Sequence, residues 1–159
     1  MEQRRERWER GVRYFARNGG RLLTDGEFRF YQALREAVGE DLSVLMKVRV
    51  GDVVTCSEGA WANGWGERLA KMHVDFVLVR PGSGVVVAAV ELDDRSHRLL
   101  ARRWRDRFLN RVFRNAGVAL LRFRAVRHYD LEAMRDAVLM ATRGAGIGND
   151  ALPAAFQAS

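Results

Sequence analysis

Three carboxylates, Asp75, Glu91 and Asp93, stand inside two of the most apolar runs of the chain, Val74-Asp75-Phe76-Val77-Leu78-Val79 and Val85-Val86-Val87-Ala88-Ala89-Val90-Glu91-Leu92-Asp93. A carboxylate buried in such a run costs several kcal/mol unless it is paired or bound to a cation. Glu91 and Asp93 are two apart on one strand and so point to the same face. Pro81-Gly82-Ser83-Gly84 separates the runs and reads as a hairpin turn. Adjacent strands lie about 4.8 Å apart, so Asp75 joins the other two acids if the register allows. Carboxylates converging at a sheet edge, with His97 a few residues on, are what a hard divalent cation such as Mg²⁺ or Mn²⁺ needs. The expected chemistry is that of a catalytic metal site.

The elements that position these groups follow from periodicity and punctuation. Residues 1–20 read as a basic N-terminal segment with an amphipathic helix, Trp8, Val12, Phe15 and Ala16 on its apolar side, stopped by Asn18-Gly19-Gly20. Thr24 begins a second helix, with Glu27 at capping-box spacing and Phe28, Tyr31, Leu34, Ala37 and Val38 as its buried stripe. Leu42 to Val54 alternates as a strand with Val44, Met46, Val48 and Val50 on one face. Residues 55–70 read as a loop exposing Trp61 and Trp65. The strand pair 72–80 and 85–93 follows, then a helix over 98–116 with Leu100, Trp104, Phe108 and Val112 towards the core. A strand over 118–123 and a helix over 131–142, capped by Asp130, complete a domain spanning 22–142. Residues 143–159 read as a disordered tail. The order is α-α-β-β-β-α-β-α, an α/β chain with one mixed sheet and helices on its faces.

At 159 residues and 48% apolar, the chain is long enough for one domain with a proper core. No apolar run approaches the roughly 20 residues of a membrane span, and Met1 to Trp8 lacks a secretory apolar segment, so a cytoplasmic protein is expected. Cys56 is the single cysteine, which excludes an internal disulfide and a cysteine-rich zinc site. The net charge of +7 is carried almost wholly by arginine, since Lys47 and Lys71 are the only lysines. A basic balance points to a polyanionic partner, nucleic acid ahead of membrane.

With its acids where they stand, this order resembles the core of the PD-(D/E)xK, or restriction-endonuclease-like, nuclease superfamily. Glu91-Leu92-Asp93-Asp94-Arg95-Ser96-His97, then Arg105-Asp106, then Leu120-Leu121-Arg122-Phe123, look like the branch related to very-short-patch repair endonucleases. The opening Leu23-Thr24, Glu27, Phe30-Tyr31 and Leu34 is similar to that of a bacterial domain family of unknown function. The resemblance spans about residues 22–127 and implies a Mg²⁺- or Mn²⁺-dependent endonuclease acting on DNA, RNA not excluded. It matches Asp75 to the first metal acid and Glu91 to the second. Where most of the superfamily has lysine this chain has Asp93, and the histidine of the repair branch is matched by His97. Lys71, four residues before Asp75, is an alternative substitute for that lysine.

In this scheme Asp75 and Glu91 hold the ion, with the Leu92 carbonyl as a further ligand. Asp93 either holds a second ion or orients His97, which acts as general base or acid. Each role has a plainer rival. Asp75 and Glu91 could be ion-paired with Arg80 or Arg122, and Asp93 and Asp94 could open the next helix. Glu27 is either a capping-box residue or a further acid of the site. Arg103, Arg107, Arg111 and Arg114 form one stripe of helix 98–116, and Arg98, Arg102 and Arg105 a second one nearer the acids, with Asp106 between. Seven arginines on one helix point to phosphate contact, against the alternative of a solvated face. Trp61 and Trp65 either stack on bases or pin their loop. Besides a nuclease, the sequence is compatible with a catalytically silent nucleic-acid-binding module, or with a subunit that binds a partner protein through its N-terminal helix. Cutting both strands would usually need two active sites, which leaves open a homodimer or a partner protein.

Overall fold

The computed structural model describes residues 13, 15–93 and 99–144, with side chains over 104–143 in the last stretch. The expected N-terminal helix over 2–17 and the tail lie almost wholly outside the described residues. Among these residues the chain builds a four-stranded mixed sheet in spatial order β1-β2-β3-β4, where β1 is Ser43–Arg49, β2 His73–Val79, β3 Val86–Asp93 and β4 Ala119–Arg124. The first three strands are antiparallel and β4 runs parallel to β3. Five helices accompany them: α1 Asp25–Val38, α2 Glu58–Ala62, α3 Trp65–Lys71, α4 Leu99–Asn115 and α5 Leu131–Gly144. The mixed α/β class is the one expected.

Both faces of the sheet are covered, which is why β2 and β3 are near-continuous apolar runs. On one face Phe76, Leu78, Ala88 and Val90 pack with Phe30 and Leu34 of α1 and Met134 and Val138 of α5. On the other, Val77, Val79 and Ala89 pack with Leu69 of α3 and Leu109 and Phe113 of α4. Alternation along β2 breaks at one place. Val74 joins the second group although Phe76 and Leu78 belong to the first, so the change of face falls at Asp75. Opposite it, Lys47 in β1 has φ 53°, a left-handed conformation in mid-strand, which costs a non-glycine residue about 1 kcal/mol or more.

The hairpin joins β2 to β3 as expected. Arg80 N–H donates to Val85 O at 2.9 Å, and Gly82 and Gly84 take φ 80° and 70°. Other expectations are corrected. The strand expected over 42–54 stops at Arg49, because Asp52 folds back to accept two hydrogen bonds from the Arg49 guanidinium and Val50–Asp52 turns as a 3-10 helix. The expected loop 55–70 contains α2 and α3. Its glycines disguised them, since glycine is a poor helix former, yet Gly64 makes the left-handed break between the helices and Gly66 lies beneath the Trp61 ring. The apolar stripes hold in part: Leu34, Ala37 and Val38 of α1 are buried as expected, Phe108 and Val112 of α4 pack against the core, and the side chain of Leu100 lies outside the described residues. In α1 Phe28 is exposed, while Phe30 is fully buried against Phe76, Phe123 and Tyr129. In α4 Leu109 and Phe113 are the fully buried pair and Trp104 is half exposed. Two adjacent apolar rows on one helix leave the centre of the stripe undetermined until neighbouring elements choose it.

Gly66 yields a test. A Cβ added there would stand 2.1 Å from Cδ2 of Trp61. Gly66→Ala is therefore expected to lower the melting temperature although alanine favours a helix by about 1 kcal/mol. In a Trp61→Ala background the same change should raise it. Equal effects in both backgrounds would remove Trp61 as the reason for the glycine.

Candidate active site

The ladder between β2 and β3 has its last registered pair at Phe76↔Val90. Beyond it the Leu92 amide donates to Asp75 Oδ2 at 3.0 Å. A side chain thus replaces the backbone acceptor of the neighbouring strand, and β2 and β3 part as a fork with Asp75 and Glu91 at its crotch. Across β2, the register running from Met46↔Phe76 to Val48↔Val74 sets Lys47 opposite Asp75. Its ammonium lies 2.8 Å from Asp75 Oδ1 and 2.5 Å from Glu27 Oε1.

Glu27 reaches this point without giving up its cap. Its Oε2 accepts from Thr24 N–H at 2.8 Å and from the Thr24 hydroxyl at 2.9 Å, and its own N–H donates to Thr24 Oγ1. One oxygen of Glu27 thus caps the helix while the other meets Lys47.

Glu91 is 4% exposed, the only buried charged residue among those described. The Arg105 guanidinium clamps it bidentately, Nη1 to Oε2 at 2.9 Å and Nη2 to Oε1 at 3.0 Å, and donates further to His73 O at 2.7 Å. Burial pushes the Glu91 carboxyl above its ordinary range and the negative charge of Asp75 adds to this, against the pull of Arg105 and Arg122. Asp93 is more open, and Arg122 Nη1 lies 3.6 Å from it and 3.1 Å from Asp106 Oδ1. The acids are therefore ion-paired with partners other than those anticipated. Lys47 takes Asp75, Arg105 takes Glu91, and Arg122 serves Asp93 and Asp106, while Lys71 is engaged with Glu67 at the surface.

His97, Asp94 and Arg98 lie outside the described residues, as do the side chains of Arg102 and Arg103 on α4. Arg107, Arg111 and Arg114 are exposed on that helix. Trp65 stacks on Phe108 and Trp61 covers Gly66, so both pin α2 and α3 to the fold. Lys47 is the residue that sequence reasoning passed over. It sits in an ordinary alternating strand, far in sequence from Asp75. Its signal was scarcity, a lysine inside a strand in a chain where 27 Lys and Arg include only two lysines.

An ionised carboxylate offers about four lone-pair sites, so the ion pairs of Asp75 and Glu91 do not exhaust their capacity as acceptors. Asp75, Glu91 and the Leu92 carbonyl are hard oxygen donors. No set of three His, Cys, Asp or Glu side chains fit to hold a metal occurs among the described residues. A cation here would draw its remaining ligands from backbone, water and substrate. That division is usual for Mg²⁺, which takes one or two carboxylates and keeps several waters.

The Lys47 bridge has a pH signature. Burial pushes the Glu27 carboxyl up, but hydrogen bonds from Lys47 and Thr24 outweigh it and hold it below the ordinary range. A folded-state value below the unfolded one gives stability that is present above about pH 4.3 and is lost as pH falls through the folded value. Glu27→Gln keeps the cap and removes the charge. The melting-temperature gap between wild type and Glu27→Gln, present at neutral pH, should close between about pH 5 and pH 3. A gap constant over that range would assign it to the cap alone.

Comparison with known proteins gives one match. The family model described as Protein of unknown function (DUF2726) matches residues 20–141. No curated protein and no solved structure matches the chain. The match takes in the whole fork, from the Thr24 cap through Lys47, Asp75, Glu91 and Arg105 to the last helix, so the chain belongs to the DUF2726 family.

Proposed function

We propose that the fork between β2 and β3 is the active site of a metal-dependent phosphodiesterase that cleaves DNA, with a core of the restriction-endonuclease type. The observation that carries this reading is the Lys47 ammonium held between Glu27 and Asp75, the acid whose charge also acts on the buried Glu91. A lysine against the first metal acid is the group whose absence from position 93 stood against catalysis. Here β1 supplies it.

Asp75 and Glu91 would hold Mg²⁺ or Mn²⁺, with the Leu92 carbonyl as a further donor, and the bound ion would offset phosphate charge and acidify a water. Lys47, fixed by two carboxylates, orients that water or steadies the negative charge growing on the phosphate. His97 stands six residues past Glu91 in the sequence and is assigned the proton transfer to the leaving oxygen. Asp93 is steadied by Arg122 and belongs to the rim of the site. Arg105 holds Glu91, while Arg107, Arg111 and Arg114, exposed on α4, supply the positive surface along which a phosphate backbone would run, and Arg98, Arg102 and Arg103 add charge to the same stretch of sequence.

A second reading rests on the same ion pairs. Lys47 and Arg105 already neutralise Asp75 and Glu91, as they would in a module that binds nucleic acid through its arginines and cuts nothing.

Two measurements separate the readings. Millimolar Mg²⁺ or Mn²⁺ should raise the melting temperature by mass action, and Asp75→Asn with Glu91→Gln should abolish that rise. Cleavage of plasmid DNA should depend on the metal and fall by at least about a hundredfold in Lys47→Met, with DNA binding in EDTA retained. No metal-linked shift and no cleavage would leave the silent module. Binding through the arginines has its own test. Each phosphate contact contributes about 0.9 to the slope of log affinity against log salt. Arg107→Gln with Arg111→Gln should flatten that slope by roughly 2.

A further inference from the structure

Beside the fork, α4 carries an aromatic cluster that the proposed chemistry does not use. Trp65 of α3 lies nearly parallel to Phe108, and Phe108 to Trp104, with interplanar angles of 9° and 10° and ring centroids 5.8 and 5.3 Å apart. The Arg68 guanidinium stands 5.1 Å from the centre of the Trp65 ring and 5.3 Å from that of Trp104. Despite this packing, Trp65 remains 43% and Trp104 49% exposed. Next to them opens a cavity of about 410 Å³, with Leu69, Phe108 and Val112 as apolar lining, Trp65 as one wall, and Arg111 and Asn115 as polar groups. Its size is that of a small-molecule pocket, and a wide aromatic surface left in water beside such a pocket marks a place where something binds.

The surroundings select the occupant. Arg68, Arg107, Arg111 and Arg114 are all exposed on α3 and α4. Of the acids on these helices, Glu67 is engaged by Lys71 and Asp106 by Arg122. An anion with flat apolar faces suits this combination, and in nucleic acid those faces are free only where bases are unpaired. Base stacking on aromatic rings is indifferent to sequence, and arginines track the backbone between the bases. Asn115 offers a donor and an acceptor to a base edge. The cavity is also close to the fork along the chain. Phe108 follows Arg105, which holds Glu91, by three residues, about 4.5 Å of helical rise.

We propose that this cavity binds an unpaired nucleobase of a single-stranded or locally opened nucleic acid. The base packs against Trp65 and Phe108 in the cavity, the exposed Trp104 ring on the other side of the cluster takes a neighbouring base, and the flanking phosphates meet Arg68 and Arg111. That the strand is also the substrate of the fork rests on the phosphodiesterase reading; that the pocket binds it does not.

The test uses the whole protein in EDTA, with a fluorescein-labelled oligothymidine of about 12 nucleotides and a blunt duplex of the same length. The single strand should bind more tightly than the duplex and quench tryptophan fluorescence. Ala60→Phe, which fills the cavity from α2, and Trp104→Ala at the surface should each weaken single-strand binding about tenfold, the loss of one base stack. Duplex binding should change little. Equal affinity for both probes without quenching, or no effect of Trp104→Ala in a folded protein, would overturn the proposal. So would a dimer in sedimentation that the same substitutions dissolve, because the cavity would then join two copies of this chain. Cleavage is followed separately with Mg²⁺. Single-strand binding without cleavage keeps the pocket and sinks the phosphodiesterase, whereas cleavage untouched by both substitutions would overturn only the link by which the strand in the pocket is the fork's substrate.

Discussion

Two carboxylates at the end of a sheet that is covered on both faces impose a constraint on everything around them. Water is not available in quantity to solvate Glu91, and Asp75 beside it makes the burden heavier. Opposite charge has to be brought to them from elsewhere in the fold. It comes from three directions, from β1 through Lys47, from α4 through Arg105, and from the backbone through the Leu92 amide. Each donor belongs to a different element, so the charge compensation also fixes where those elements lie.

Helix α1 rests on one face of the sheet and α4 on the other, yet both are tied to the same few atoms. Glu27 fastens the first turn of α1 to Lys47, and Arg105 fastens α4 to Glu91 and to the His73 carbonyl. The two apolar cores share no helix, so the polar fork is where the layers are registered against each other. An arrangement of this kind is preorganised, because the groups that would meet a charged substrate are held by partners already.

Much of this was legible in the chain, and the limits have physical causes. Asp75 and Glu91 announced themselves as acids in apolar runs, and Pro81 to Gly84 announced the turn that brings them together. Thr24 and Glu27 announced a helix start. The two readings of Glu27 were rivals only while its two oxygens were counted as one, since one caps the helix and the other reaches Lys47. Lys47 carried only the signal of scarcity, since nothing local distinguishes a lysine that crosses to a neighbouring strand from one that faces water. The partners of the acids were misassigned for the same reason. Arg80 and Arg122 were favoured because they end or lie on neighbouring strands, whereas Arg105 arrives from a helix packed on the sheet. The glycines of α2 and α3 read as loop because propensity is a local quantity, and the space they leave for Trp61 is not.

The left-handed turn of the backbone at Lys47 has a bearing on how this molecule keeps to itself. Strand β1 is an edge, paired among the described residues only with β2, and it shows Leu45 and Met46 to solvent. An open, flat, apolar edge invites a strand from another molecule, and proteins blunt such edges with kinks and charges. Lys47 does both at the middle of the strand, interrupting the row of amides and carbonyls that an incoming chain would have to match. The residue that serves the fork thereby also spoils the template for aggregation. A replacement with ordinary extended geometry would straighten the edge and leave the folded protein more prone to stick to its own copies.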